Sequence, residues 1–299
     1  MTLRFGTSEA GGTFHSQAIA IAELFNQTRP DVERCVVTAN LVTLNDLKLF
    51  DSGALEFGLM ASNWIGRATS GTTPFDHPIA LRIVAPANVG PVFFVTLAHS
   101  SIRSLSDLVG KRVALGPKGS GMVQHAEVIL KLLGISLERF TPLYLNFDDA
   151  GDAMIRGEID ALWQRPIPNQ AMTVLSEHAD VRIVPYDAGQ LERITSQVSF
   201  YREIIIERGA FRGAIEDSPQ VGVVNVIVTH ESVKEEHVYV MAKLLAQNLD
   251  SLPRLNPLFK TTESLFKPLQ THGAAAFEFA GVPIHPGALR ALQETGWLP

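Results

Sequence analysis

A short apolar strand that runs into a glycine-rich turn and then an amphipathic helix occurs twice in this chain, and the repetition limits the fold more than any other feature. The first copy is Leu3-Arg4-Phe5-Gly6, then Gly11-Gly12-Thr13, then a helix with Ala18, Ile21, Ala22 and Phe25 on one side. The second is Arg112-Val113-Ala114-Leu115-Gly116, then Gly119-Ser120-Gly121, then a helix with Val123, Ala126, Ile129, Leu130 and Leu133. Glycine lets the backbone approach a ligand closely, and a helix start offers unpaired amide hydrogens at the positive end of a dipole. Each copy therefore reads as an anion-binding corner, and two corners predict two lobes that share one ligand. The competing reading is an ordinary strand-to-helix turn in each.

A chain of 299 residues can bury one large core or two of moderate size. A net charge of −6 and scattered Lys and Arg exclude the basic stripe of a nucleic-acid surface. No apolar stretch reaches the roughly 18 residues that a spanning helix needs. The single cysteine, Cys35, excludes an internal disulfide and any CxxC motif. The chain starts at the strand Leu3-Arg4-Phe5 with neither a basic nor an apolar leader ahead of it. The expected locations are thus a secreted protein whose signal has been removed, or the cytoplasm.

Strands and helices alternate through the first 185 residues, the pattern of a parallel α/β sheet. Strands are expected at 3–6, 35–39, 57–61, 79–85, 92–98, 113–116, 141–145, 161–163 and 181–185. Helices are expected at 14–28, 43–51, 64–69, 122–133, 149–157, 168–177, 232–248 and 286–295. Asn40, Ser104, Asp148 and Ser232 read as helix starts, and Gly53, Gly110, Gly134 and Gly157 as stops. Two β-rich runs, Gly90 to Thr96 and Gly222 to Thr229, break the alternation and bracket the block between them. The chain is therefore expected to leave one lobe (1–90), build a second (91–224) and return (225–299).

Ser104-Leu105-Ser106-Asp107-Leu108-Val109-Gly110-Lys111-Arg112-Val113-Ala114-Leu115-Gly116 followed by Gly119-Ser120-Gly121 resembles the opening of the second lobe of extracytoplasmic solute-binding proteins. Gly11-Gly12-Thr13-Phe14, Leu59-Met60-Ala61-Ser62-Asn63, Gly157-Glu158-Ile159-Asp160-Ala161, and His285-Pro286-Gly287 with the terminal Glu294-Thr295-Gly296-Trp297 narrow the likeness. In this order they resemble the TAXI family of solute receptors of TRAP transporters. The resemblance implies an α/β, two-lobed, type II periplasmic-binding-protein fold with the ligand in an interlobe cleft, closing by hinge motion near residues 90 and 222. It also implies a periplasmic receptor, not an enzyme, that delivers a small organic acid or amino acid to a TRAP-type membrane permease without a cofactor. Two positions depart from the family, where Tyr-Tyr often follows the first turn and threonine the second: here stand Phe14-His15 and Met122.

The candidate ligand-binding residues follow from chemistry and place. Gly12, Thr13, Phe14 and His15 form the first corner, and Gly119, Ser120, Gly121 and Met122 the second. Thr13 and Ser120 are hydroxyl donors facing a carboxylate, with simple helix capping as the alternative. Ser62, Asn63 and Trp64 follow a buried strand at its carboxyl end, where open α/β sheets take ligands. Gln164, Arg165 and Pro166 follow the strand 161–163, and an arginine there offers a planar fork to a carboxylate. Arg67 and Arg82 are its rivals. Met122-Val123 stands where a Walker loop needs Lys-Ser/Thr, which excludes that reading. His15 and His125 have no i, i+4 partner and HExxH is missing, so a metal is not expected. Ser264-x-x-Lys267 runs into Pro268 without companion motifs. A cytoplasmic enzyme, such as a decarboxylase or synthase, and a ligand sensor on the same fold are the alternatives.

Overall fold

The computed structural model describes residues 2–7, 10–28, 34–39, 48–279 and 281–299. In chain order the elements are β1 (Thr2–Thr7), α1 (Thr13–Thr28), β2 (Arg34–Ala39), β3 (Phe57–Ala61), α2 (Ser62–Ser70), β4 (Leu81–Leu97), β5 (Arg112–Ala114), α3 (Gly121–Leu132), β6 (Thr141–Leu143), α4 (Phe147–Ile155) and β7 (Ala161–Gln164). There follow α5 (Gln170–His178), β8 (Val181–Ile183), α6 (Gln190–Gln197), β9 (Tyr201–Ile206), β10 (Ser218–His230), α7 (Glu235–Gln247), α8 (Leu252–Leu255), α9 (Thr262–His272) and α10 (Pro286–Glu294). The chain divides into a unit of Met1–Val89 with Val224–Pro299 and a unit of Gly90–Val223. It passes from one to the other inside β4 and again inside β10.

In the discontinuous unit β1 pairs in parallel with β2 and β3, and β3 pairs antiparallel with β10. Phe5, Phe25, Phe50 and Phe57 are fully buried there. Gly58 is needed at the centre of this packing, because a Cβ would stand 2.9 Å from the Phe50 ring. Arg4 clamps the start of β1 to the loop before β3 through an ion pair with Glu56 at 2.7 Å. In the continuous unit β5 is parallel to β6 and β7, while β4 runs antiparallel to β7 and β8. Phe93, Val95, Ala114, Leu162 and Ile183 from these strands pack with Ala150 and Met154 of α4 and Met172 and Leu175 of α5.

Several sequence expectations are corrected. The strands expected at 79–85 and 92–98 are one 17-residue strand, β4. Pro86, Gly90 and Pro91 do not end it: proline removes one donor yet keeps φ in the extended range, and every residue from Ile83 to Thr96 is buried. Helix α7 starts at Glu235 after Lys234 rather than at Ser232, and the hydroxyl of Ser232 bonds His230 Nδ1 at 2.8 Å. Helix α4 starts at Phe147 after Asn146, ahead of Asp148. Helix α9, with Pro268 inside it, was not expected from the sequence. Asn40 and most of the helix expected at 43–51 lie outside the described residues.

Candidate functional site

Register pairs in the continuous unit form one row across its sheet: Leu143 to Ala114, Ala114 to Leu162, Leu162 to Val95, and Val95 to Ile183. Strands β6, β5, β7 and β8 all run the same way through this row, so the residues that follow it share one edge. They are the carboxyl ends of the strands, the edge where open α/β sheets hold ligands. Gly116 to Gly121 follow β5, Arg165 follows β7, and Pro185-Tyr186 follow β8. Arg165 and Tyr186 each lie three residues beyond the row, on either side of β4.

The second glycine turn opens α3 as its residue types require. Gly119 takes a left-handed φ of 77°, and Ser120 is extended at φ −70°, ψ 158° with its hydroxyl oxygen accepting from Val123 N at 3.3 Å. The capping alternative therefore holds for Ser120, whose hydroxyl proton stays available for a second bond. Gly116, at φ 100°, leaves room for the Phe147 ring: a Cβ would stand 3.2 Å from it. That ring in turn carries the Arg165 guanidinium, whose carbon lies 4.9 Å from the ring centroid. Gly116, Phe147 and Arg165 thus form a stack at the sheet edge beside the α3 start. The Met122 carbonyl accepts from Trp163 Nε1 at 2.8 Å, which ties the first turn of α3 to β7.

Gln164, a candidate ligand contact in the sequence, is the last residue of β7. It is fully buried, its Oε1 accepts from Arg165 N at 2.9 Å, and its amide lies 3.7 Å from Met172 Sδ. Asn169 completes the loop: its Nδ2 donates to the Pro166 carbonyl at 2.9 Å and its Oδ1 accepts from Met172 N at 2.9 Å, capping α5. Gln164 and Pro166 therefore set the path of the loop that carries Arg165, and Asn169 is the buried polar residue that the sequence reading missed.

A second polar group, weighed in the sequence only as a metal ligand, makes a hydrogen bond that the sequence does not show. His125, on the second turn of α3, is 2% exposed, and its Nδ1 lies 2.8 Å from the Tyr201 hydroxyl. Phe200 meets the imidazole edge-on, with ring centroids 6.2 Å apart. Burial pushes the His125 imidazole from 6.5 down to about 3, so it is neutral and accepts the Tyr201 proton or donates its own. Burial, with a smaller contribution from neighbouring Tyr186, raises the Tyr201 hydroxyl, and burial raises Tyr186 as well. No spacing rule brings residues 125, 186 and 201 together; only the sheet does.

The discontinuous unit carries the other corner. Thr13 starts α1, and its carbonyl accepts from Ser16 Oγ at 2.9 Å. Half-buried Phe14 and His15 follow Gly12, and His15 Nδ1 lies 3.2 Å from Thr7 Oγ1 at the carboxyl end of β1. Ser62 opens α2 and gives its proton to the Val224 carbonyl at 2.6 Å, which leaves its hydroxyl oxygen as an acceptor. Trp64 is 7% exposed, with its ring edge-on to Phe75 of the same unit at 6.2 Å. Asn63 is half-buried in the first turn of α2. Buried Asn88 and Asn225 bond each other at 3.1 Å, a pair that the sequence reading did not name. Arg82 is taken up by Glu231 at 2.5 Å, and Arg67 is exposed at the last turn of α2. Among the described residues no group of three or more His, Cys, Asp or Glu is placed to hold a metal ion.

These two units, each with a glycine turn and a helix start at strand carboxyl ends, define an α/β fold of the type II periplasmic-binding-protein class. Residues 5–296 match the NMT1-like family, and the chain belongs to that family. The fold is shared with the periplasmic aliphatic sulphonate binding protein SsuA from Escherichia coli at 15% identity and TM-score 0.51, over 100% of this chain and 84% of that one. A putative periplasmic sulfonate-binding protein SsuA of an ABC transporter from Methylobacillus flagellatus KT is similar at 13% identity and TM-score 0.54, over 100% and 88%. The effector binding domain of a BenM variant is similar at 11% identity and TM-score 0.52, over 86% and 96%. At these identities the likeness is one of fold. No described helix is long and apolar enough to cross a membrane.

Proposed function

We propose that this protein is an extracytoplasmic solute receptor of the TAXI type that binds a small organic anion, a carboxylate or amino acid, and passes it to a TRAP-type membrane transporter. The observation that carries the reading is Arg165, held on the Phe147 ring beside the Ser120-capped start of α3 at one sheet edge. A fixed guanidinium fork and the unpaired amides of a helix start both favour an oxyanion, and neither performs covalent chemistry. Gly119, Ser120, Gly121, Met122 and Arg165 are the proposed contacts in this unit, and Gly12 to His15 with Asn63 are the proposed contacts in the other. The two named sulfonate-binding proteins support the receptor reading, and they make a sulfonate the rival to a carboxylate. Native mass spectrometry of the protein as purified tests this: a retained organic acid supports the reading, and a retained sulfonate moves the ligand class.

A ligand sensor is the second reading, because an effector binding domain shares the fold. Uptake measurements in cells lacking the protein separate the two. Loss of uptake of the retained anion supports the receptor, and unchanged uptake with altered gene expression supports the sensor.

A further inference from the structure

In the discontinuous unit the loop between α2 and β4 folds back on the helix that precedes it. Gly71 ends α2 at φ 63°, and a Cβ there would stand 2.6 Å from the His77 carbonyl carbon. Thr72 N donates to the Arg67 carbonyl at 3.1 Å and Ile79 N to the Ala68 carbonyl at 2.8 Å, so both ends of the loop are rooted on α2. The Phe75 ring rests edge-on against Trp64 between them. The tip is held differently. His77 Nδ1 lies 2.7 Å from Asp76 Oδ1, and Nε2 lies 3.0 Å from Asp51 Oδ2. Asp51 ends the helical turn 48–51, whose Phe50 is fully buried, so the imidazole joins the loop to a turn anchored in the core.

A neutral imidazole has one N–H and one lone pair, so with a carboxylate at each nitrogen it satisfies one and turns a lone pair on the other. Only the imidazolium donates to both. We propose that His77 is a protonation-dependent latch: as an imidazolium it ties the tip of the 71–79 loop to Asp51, and loss of its proton frees that tip. The two carboxylates raise the His77 imidazole above its ordinary range, the hydrogen bond to Asp51 contributing most and that to Asp76 next. Asp76 is lowered in turn, chiefly by His77 and slightly by Lys48 on the same turn as Asp51. All three members of the latch are open to solvent, so the pH of the medium sets its state and each pair is individually weak. Because the folded value is raised, the latch is complete below the ordinary imidazole pKa and is lost as pH rises through the raised one. The rooted ends and the Phe75–Trp64 contact do not titrate, so release concerns the loop tip and not the fold. This inference is independent of the receptor reading.

The test follows the His77 ring by proton NMR through a pH titration of the wild type, Asp51→Asn and Asp76→Asn. Amide hydrogen exchange of Phe75 and Ile79, corrected for the intrinsic effect of pH, is read on either side of the His77 midpoint in the wild type and in His77→Gln. Phe75 N donates to the Thr72 carbonyl at 3.1 Å, so these two amides report the loop directly. The expected result is a wild-type midpoint above the ordinary imidazole range, lowered by both carboxylate variants and more by Asp51→Asn. Protection of the two amides should fall about twofold to fivefold as His77 loses its proton, the size expected for exposed ion pairs, and His77→Gln should show no such step. A midpoint unmoved by both carboxylate variants overturns the proposal, since the imidazole is then not held between them. A midpoint that moves while protection stays constant also overturns it, because the ion pairs then do not hold the loop. A step in protection that persists in His77→Gln belongs to another group and overturns it as well.

Discussion

Arg165 is the residue on which the binding account leans most. Its alanine variant removes a charge-assisted contact and leaves the ligand anion facing a desolvated edge, a loss of about 2–5 kcal/mol by analogy with buried charged pairs. In a calorimetric titration that is a rise in Kd of roughly thirtyfold to several thousandfold. Arg165→Lys should recover only part, since an ammonium lacks the planar fork and stacks less well on Phe147. An affinity that survives Arg165→Ala would move the anchor to the α3 start. The arginine was legible in the sequence because it stands directly after a short apolar strand. The inward turn of neighbouring Gln164 was not, because it depends on Met172 of α5 and on the path that Asn169 gives the loop.

His125 makes a separate prediction about acid. Its folded pKa is depressed, to about 3, below the value of 6.5 for an exposed imidazole. The unfolded chain therefore binds a proton in the window between these values that the folded chain does not, and stability is lost as pH falls below about 6.5. Between pH 7 and pH 5 the loss is about 2 kcal/mol. His125→Gln keeps a partner for the Tyr201 hydroxyl but does not titrate, so its denaturation midpoint should fall less over this range. Carboxylates whose pKa is lowered, such as Asp160 beside Arg112, lose their contribution only at lower pH and in both proteins alike. Equal slopes in the two proteins would show that His125 is not buried in its neutral form.

At the scale of elements, the helix starts decide whether a glycine corner is a cap, a site or both. Ser120→Ala removes the acceptor for Val123 N and should destabilise by about 0.5–2 kcal/mol in chemical denaturation. If the hydroxyl proton also reaches the ligand, affinity falls in the same variant; a stability loss with unchanged affinity would make Ser120 a cap alone. The strand–turn–helix units themselves were visible from apolar periodicity and glycine punctuation, and Ser104 was recognised as a start that forms a capping box with Asp107. Four elements were missed: the single turn α8, and three more, each for a physical reason. Strand β9, Tyr-Arg-Glu-Ile-Ile-Ile, does not alternate apolar and polar residues, and only its pairing with β10 makes it a strand. Helix α6 buries only Ile194, so it has no apolar stripe to read. Helix α9 was masked by Pro268, and its Ser264-x-x-Lys267 pattern is inert: Ser264 bonds the Thr261 carbonyl at 2.6 Å and Lys267 pairs with Glu263 at 3.4 Å.

For the whole molecule, the sequence carried the α/β class because alternating strands and helices are a long-range pattern written locally. It could not carry the row Leu143–Ala114–Leu162–Val95–Ile183, because register joins residues far apart in the chain. That row is what puts residues 120 and 165 at one edge, and with them the proposed chemistry of binding without turnover. The most direct measurement is a calorimetric titration of the purified, ligand-free protein with the anion it retains from expression, followed by recovery of that anion by mass spectrometry. The account predicts saturable one-to-one binding, a melting temperature raised in line with stabilisation of about 2.7 kcal/mol at a hundredfold excess over Kd, and the anion recovered unchanged. No saturable heat, or a recovered product in place of the added anion, would contradict it.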